Sequence, residues 1–242
     1  MTDATVQEAP SPAQASLWED FIDIFYAPRQ VFERRREAGF GLVLLIITVI
    51  GTALFFASQG PLEAAYAAEF RRSLESAGAA AQPTPEQMEQ GRQAARIFGT
   101  LGILIGYPVS VLIVGVVLWA LGKLFSFSGT VKMAILIVTY AQIPRILQGV
   151  ATLIQGLLLR PDSLADVSLG PARFLDPDST SMLVTGLLGR LDVFYIWSTI
   201  LIAIGAQVLG RVPRVQSYVL AVLVWVVGAL PSLMGALAGG RG

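Results

Sequence analysis

Five long apolar runs, at residues 40–58, 98–121, 131–153 (apolar as far as 159), 193–209 and 215–237, restrict this chain more than any other feature in it. A helix of about 20 apolar residues crosses about 30 Å of hydrocarbon. Backbone in that medium must satisfy its own hydrogen bonds, so only helices and closed barrels can span it. Barrel strands alternate apolar and polar over about ten residues, and these runs are longer and do not alternate. The expected fold class is all-α, a polytopic transmembrane helix bundle with five spans and flanking interfacial helices. Composition agrees: 54% of the 242 residues are hydrophobic and 14% charged, with a mean hydropathy of +0.65, more apolar than a water-soluble domain.

The expected organisation is a disordered tail at 1–15, cytoplasmic interfacial helices at 16–39, the five spans at 40–237 and a short tail at 238–242. The opening MTDATVQEAPSPAQAS is acidic and has no basic stretch followed by an apolar one, so no cleavable signal peptide is expected. A raw Lys/Arg count leaves orientation undecided. Loop character decides it. The connections around Lys123 and around Arg211 and Arg214 are short, basic and free of acids, whereas 59–96 and 160–191 are long and hold more acids than bases. The N-terminus is expected in the cytoplasm and, after five crossings, the C-terminus outside.

In LWEDFIDIFYAPRQVFERRREAG, Leu17, Trp18, Phe21, Ile22 and Phe25 fall on one helical face and Glu19, Asp20 and Asp23 on the other, and Pro28 restarts the helix. The pattern predicts an interfacial helix pair. Arg34, Arg35 and Arg36 then stand at the membrane edge, where each gains about 1 kcal/mol from anionic lipid. Further on, Leu62, Tyr66, Phe70 and Leu74 recur every four residues, which predicts an amphipathic helix. TPEQ supplies an N-cap in Thr84, Pro85 at the first helical position and Gln87 in capping-box register, so a helix starts there and runs toward the second apolar run. A turn-rich stretch with GP and DPD precedes a short amphipathic helix at about 179–189.

Two features inside the apolar runs invite a role. Gly102, Gly106 and Ser110 are spaced by four, as are Gly228, Ser232 and Ala236. In lipid such ridges let helix backbones approach closely, and they are expected to pack on neighbouring helices, in the first place within the chain. The other feature is VTYAQIPRILQGV. Tyr140, Gln142, Pro144, Arg145, Gln148, Thr152 and Gln155 form an intramembrane polar stripe broken by the proline. A charge facing lipid at the bilayer centre costs at least about 2.5–3.5 kcal/mol, so Arg145 is expected to face the bundle. The run from 131 to 159 spans about 43 Å at 1.5 Å per residue, too long for one straight crossing, and a kink at Pro144 or a turn near Gly156 is expected. The acid nearest in kind is Asp192, and Phe194, Tyr195, Trp197 and Trp225 read as interface anchors.

The inventory excludes most chemistry. The chain has no Cys and no His, which removes thiolate and imidazole ligands, catalytic thiols and the neutral-pH proton shuttle. No Ser/His or Asp/Asp pairing, P-loop or dinucleotide glycine motif is present. No catalytic residue, cofactor or metal site is expected, and a formal net charge of zero gives no footprint for nucleic acid.

Four stretches carry a family resemblance: FYAPRQVF before the first span, PEQMEQ before the second, FSFSGTVKMAILIVTYAQIP in the third and LDVFYIWSTILIAIGAQVL in the fourth. Over about residues 17–237 the chain resembles the Yip family of five-helix membrane proteins named for interaction with Ypt/Rab GTPases, in its bacterial branch. The resemblance implies a cytosolic N-terminus, five crossings and an outward C-terminus. Tyr140 and Pro144 match the third-helix motif, and Asp192, Phe194 and Trp197 the fourth. Eukaryotic relatives look like trafficking factors, but 15 Arg against 2 Lys suggests a GC-rich bacterium, where no Rab cycle exists. The functional expectation is a non-enzymatic inner-membrane protein that binds membrane lipids and other integral membrane proteins or itself, as a scaffold, assembly factor or accessory subunit. The alternative is a small-solute transporter or channel with a polar path from Arg145 to Gln155.

Overall fold

A computed structural model describes residues 16–76, 84–176 and 179–239, of which 73–76, 85, 88, 92, 95, 182 and 231–239 as backbone path alone. Among them, regular structure is helical throughout. The predicted tail at 1–15 lies outside the described residues, as do the side chains of Ser232 and Ala236.

The chain opens with α1 (Leu17–Asp23) and α2 (Pro28–Arg34). Ser16 caps α1 and Glu19 returns the bond, and Pro28 starts α2, where its missing N–H costs nothing. Then come α3 (Gly41–Ser58), α4 (Glu63–Ser76) and α5 (Pro85–Leu101). The predicted Thr84/Gln87 capping box is present at the start of α5. Through a π-helical turn at Gly102–Gly106, α5 continues into α6 (Tyr107–Gly122). Next, α7 (Val131–Ala141) and α8 (Pro144–Leu159) are separated at Gln142 and Ile143, the break the proline predicts. Two 3₁₀ turns follow, and then α9 (Met182–Gly189), α10 (Val193–Val208) and α11 (Arg214–Gly239).

Among the described residues, three helices are long and apolar enough to cross a membrane: Gly41–Ser58, Glu89–Phe125 and Val131–Leu159. A fourth span is available if Leu183–Gly189 and Val193–Val208, bent by 60°, act as one. The expected amphipathic helix at 179–189 is thus an apolar one joined to α10 at an angle. Over its described side chains α11 contributes the shorter apolar helix Arg214–Leu230. The first connection does hold a helix, α4, preceded by the buried Leu62, with Phe70 turned onto Gly91 of α5.

The core runs along α7, whose residues Ala134 to Ala141 are all buried. Glycines let its neighbours close in. A Cβ on Gly115 of α6 would lie 2.7 Å from the Ile135 backbone, and one on Gly205 of α10 would strike Ile137. At one end of the bundle the Phe127 ring fills a slot left by Gly122, Gly129 and Gly210, and the Ser128 amide donates to the Gly210 carbonyl at 2.9 Å. The outward faces of α5 and α6 expose Ile97, Phe98, Leu101, Leu104, Ile105, Val109, Ile113 and Val116, as expected where the surrounding solvent is hydrocarbon.

The N-terminal pair does not simply lie beside the bundle. Ile24, Val31 and Phe32 are fully buried in the same core as the spans, and Phe32 meets Tyr140 edge to face at 6.3 Å. The predicted faces of α1 are partly exchanged. Asp20 is 0% exposed, whereas Trp18, Ile22 and Tyr26 are 65%, 63% and 71% exposed.

Candidate binding site

Where α6, α8, α10 and α11 converge beside the α9–α10 bend, they leave a cavity of about 220 Å³. Each wall is placed by a local rule. Pro144 restarts the helix and sets Arg145 one residue into α8, inward as expected. Asp192 caps α10, its Oδ1 accepting from the Phe194 amide at 2.9 Å while Oδ2 accepts from the Leu169 amide at 2.9 Å. That cap ends the α9–α10 bend and fixes Arg190 just ahead of it. Ser110 of α6 and Gly228 of α11 are small, and a Cβ on Gly228 would lie 3.3 Å from the Arg190 guanidinium. One member of each predicted ridge, Ser110 and Gly228, therefore lines the cavity, where its small size keeps space open, whereas a Cβ on Gly102 or Gly106 meets nothing within 4 Å.

The polar contents are cationic. Arg145 donates from Nη2 to the Tyr195 hydroxyl at 2.8 Å, and its guanidinium carbon is 4.3 Å from the Tyr195 ring centroid. Arg190 lies 5.4 Å from the same ring and 6.0 Å from that of Trp225. Neither arginine has a carboxylate partner among the described residues, and no acid lines the cavity. Cation–π contact with a desolvated ring returns about 2 kcal/mol, less than the cost of holding the charge at membrane depth. Three further groups at the site are buried without a hydrogen-bond partner: Arg190 Nε, Ser198 Oγ and Gln142 Oε1. Tyr195 and Trp225, expected as interface anchors, instead serve as the aromatic surfaces beneath these charges. Arg190 escapes a sequence reading because it sits in a loop by count; its one signal is an apolar run, LVTGLLG, that leads directly into it.

The rest of the polar stripe goes elsewhere. Tyr140 donates to Asp20 Oδ2 at 3.0 Å, in the clamp that holds α1. Gln155 donates to the carbonyl of Val167 at 3.0 Å, tying α8 to a 3₁₀ turn. Gln148 and Thr152 are half-buried on α8 and do not line the cavity. Arg34 and Arg35 bind Asp20 from Nε at 2.7 and 2.6 Å, and Arg34 also binds Asp23 at 2.6 Å. Arg36 donates to the Val208 carbonyl at the end of α10 at 3.1 Å. The three arginines expected at the membrane edge are thus engaged with protein. Tyr195 and Val208 are 13 residues apart on α10, about 20 Å, so the clamp and the cavity occupy opposite ends of that helix.

A model of the Yip1 domain matches residues 22–236. The chain belongs to the Yip family. No curated protein and no solved structure matches it. The Yip domain begins within α1 and ends within α11, so it includes most of the docked N-terminal pair and the whole cavity. As a Yip-family member with long apolar helices, the protein is a multi-pass membrane protein whose outer surface contacts lipid.

Proposed function

We propose that this Yip-family protein is a non-enzymatic integral membrane protein that binds other membrane components, as a scaffold, assembly factor or accessory subunit of a membrane complex. One observation carries the reading: the face presented by Gly102 and Gly106, at the junction of α5 and α6, meets no neighbour among the described residues. Gly102 and Gly106 are exposed, and a Cβ on either meets nothing within 4 Å. Glycine in a helix interior costs about 0.5–1 kcal/mol relative to alanine. In lipid that cost is recovered only when another backbone approaches the groove. That backbone belongs to a second copy or to a different membrane protein.

The setting that fits is a bacterial inner membrane, with five crossings, the N-terminus cytoplasmic and the C-terminus outside. The fourth crossing is the bent α9–α10 pair and the fifth is α11. The transporter reading has narrower support, because the stripe from Arg145 to Gln155 is divided between the cavity and a loop contact.

Because the chain lacks cysteine, Gly106→Cys in native membranes offers one thiol to a short bifunctional cross-linker, with Leu45→Cys on the exposed face of α3 as control. An adduct from position 106 and none from 45 is the expected result. Absence of any adduct, together with a lone monomer in mild detergent, overturns the proposal.

A further inference from the structure

We propose that the cavity between α6, α8, α10 and α11 is a binding site for a phosphate group, held by the guanidinium groups of Arg145 and Arg190. The inference is independent of the glycine face and of the helix partner proposed for it.

The first argument is charge. Two guanidiniums lie over one tyrosine ring, at 4.3 and 5.4 Å, in a bundle surrounded by hydrocarbon and with no carboxylate in the wall. Like charges sharing one ring repel, and an intramembrane charge without a counter-ion is rare. An anion between the two groups removes both penalties.

The second argument is unused hydrogen-bonding capacity. Arg190 Nε and Ser198 Oγ are buried with no partner, whereas buried polar groups are nearly always bonded. Gln142 faces the same space, and its amide can present either N or O. Phosphate oxygens would accept from Arg190 Nε, from Ser198 and from the remaining Arg145 N–H groups. Guanidinium forks match phosphate geometry, and basic pockets between transmembrane helices hold lipid head groups.

The third argument is shape. Ser110 and Gly228 keep the cavity open, and any larger residue at either position would narrow it. At about 220 Å³ it is smaller than the roughly 300–1,000 Å³ of an ordinary ligand pocket. It suits a phosphate with a few attached atoms, not a whole lipid. The phosphate can therefore come from a lipid head group whose chains stay outside, or from a free anion.

The test uses the full chain purified in phosphate-free maltoside detergent. One arm is equilibrium dialysis against radiolabelled inorganic phosphate. The other is native mass spectrometry after incubation with phosphatidic acid in mixed micelles. The expected result is one phosphate-bearing ligand per chain, bound roughly ten- to a hundredfold more weakly in Arg190→Gln and Arg145→Gln. Ser110→Leu fills the space from the α6 wall while leaving both arginines in the sequence and should give the same loss, which keeps the test decisive if an arginine variant misfolds. Arg173→Gln, in the 3₁₀ turn, should bind like the parent. Binding of phosphatidic acid alone supports a lipid head group, and binding of inorganic phosphate supports a free anion. Absence of both in the parent chain, or binding that all three cavity variants leave intact, overturns the proposal. Cross-linking at position 106 is read separately and is unaffected by either result.

Discussion

Asp20 has no exposed surface, yet its two carboxylate oxygens receive Arg34, Arg35 and the Tyr140 hydroxyl, three donors from two other helices. A carboxylate so placed stabilises the docked pair only while its charge is present. Asp20→Asn keeps the shape and should cost about 2 kcal/mol, in the range of charged hydrogen bonds. Tyr140→Phe should cost about 1 kcal/mol. Both are measurable by unfolding in mixed detergent, and their combination should show coupling because they share one oxygen. Asp23, at the surface, is held below the usual carboxylate range by the Tyr26 hydroxyl and by Arg34. Its contribution is therefore present above the ordinary value of 3.8 and is lost as pH falls through the lowered one. Pepsin cleavage near α1 should rise in that acid window, and Asp23→Asn should flatten the change. The helical periodicity of α1 is legible in the sequence, but a wheel only separates faces and does not say what each face meets. Here Asp20 meets arginines while Trp18 and Ile22 are left outside and Leu17, Phe21 and Phe25 still pack against the core, because a carboxylate is better satisfied by guanidinium groups than by anionic lipid.

At the scale of elements, glycines with the same letter do different work. Gly115 sits against the Ile135 backbone, so Gly115→Val should force α6 from α7 and cost about 1–3 kcal/mol. Gly102 faces open space, so Gly102→Ala should leave stability unchanged or raise it by up to about 1 kcal/mol, while weakening any partner contact. Unfolding midpoints of the two variants in one detergent series check the contrast, and equal losses would contradict it. Spacing by four singles out Gly102 and Gly106 and passes over Gly115 and Gly205, although the latter two grip the central helix. Sequence spacing records which residues share a stripe; the depth of a stripe depends on helix rotation, which the neighbours set. Helix starts were far more legible, since Thr84, Pro85 and Gln87 act within one turn and need no tertiary partner. The apolar character of α9 is written in its own residues, but its 60° bend onto α10 lies beside the Asp192 cap, which accepts from a loop 23 residues earlier, a contact that no local pattern contains.

At the scale of the whole molecule, the proposed five crossings can be read directly. Leu124→Cys, in the loop after α6, and Asp162→Cys, in the loop after α8, are both at exposed positions. An impermeant thiol reagent should label the first from the cytoplasmic side and the second from the opposite side, and a cysteine placed at the C-terminus should behave like Asp162→Cys. Labelling of the C-terminus from the cytoplasmic side would mean an even number of crossings. Apolar length alone identified the three helices that can each cross a membrane and one half of the bent pair that can supply a fourth span. It could not show that the α1–α2 pair is part of the same core, because that depends on Ile24, Val31 and Phe32 meeting α7 and α10. Phe127 and its three glycines brace the end that also holds the N-terminal clamp, whereas the far end contains the cavity. Close-packed protein resists compression and a void does not. The two ends of the molecule should therefore differ in compressibility, one a solid plug and the other a wall that can yield.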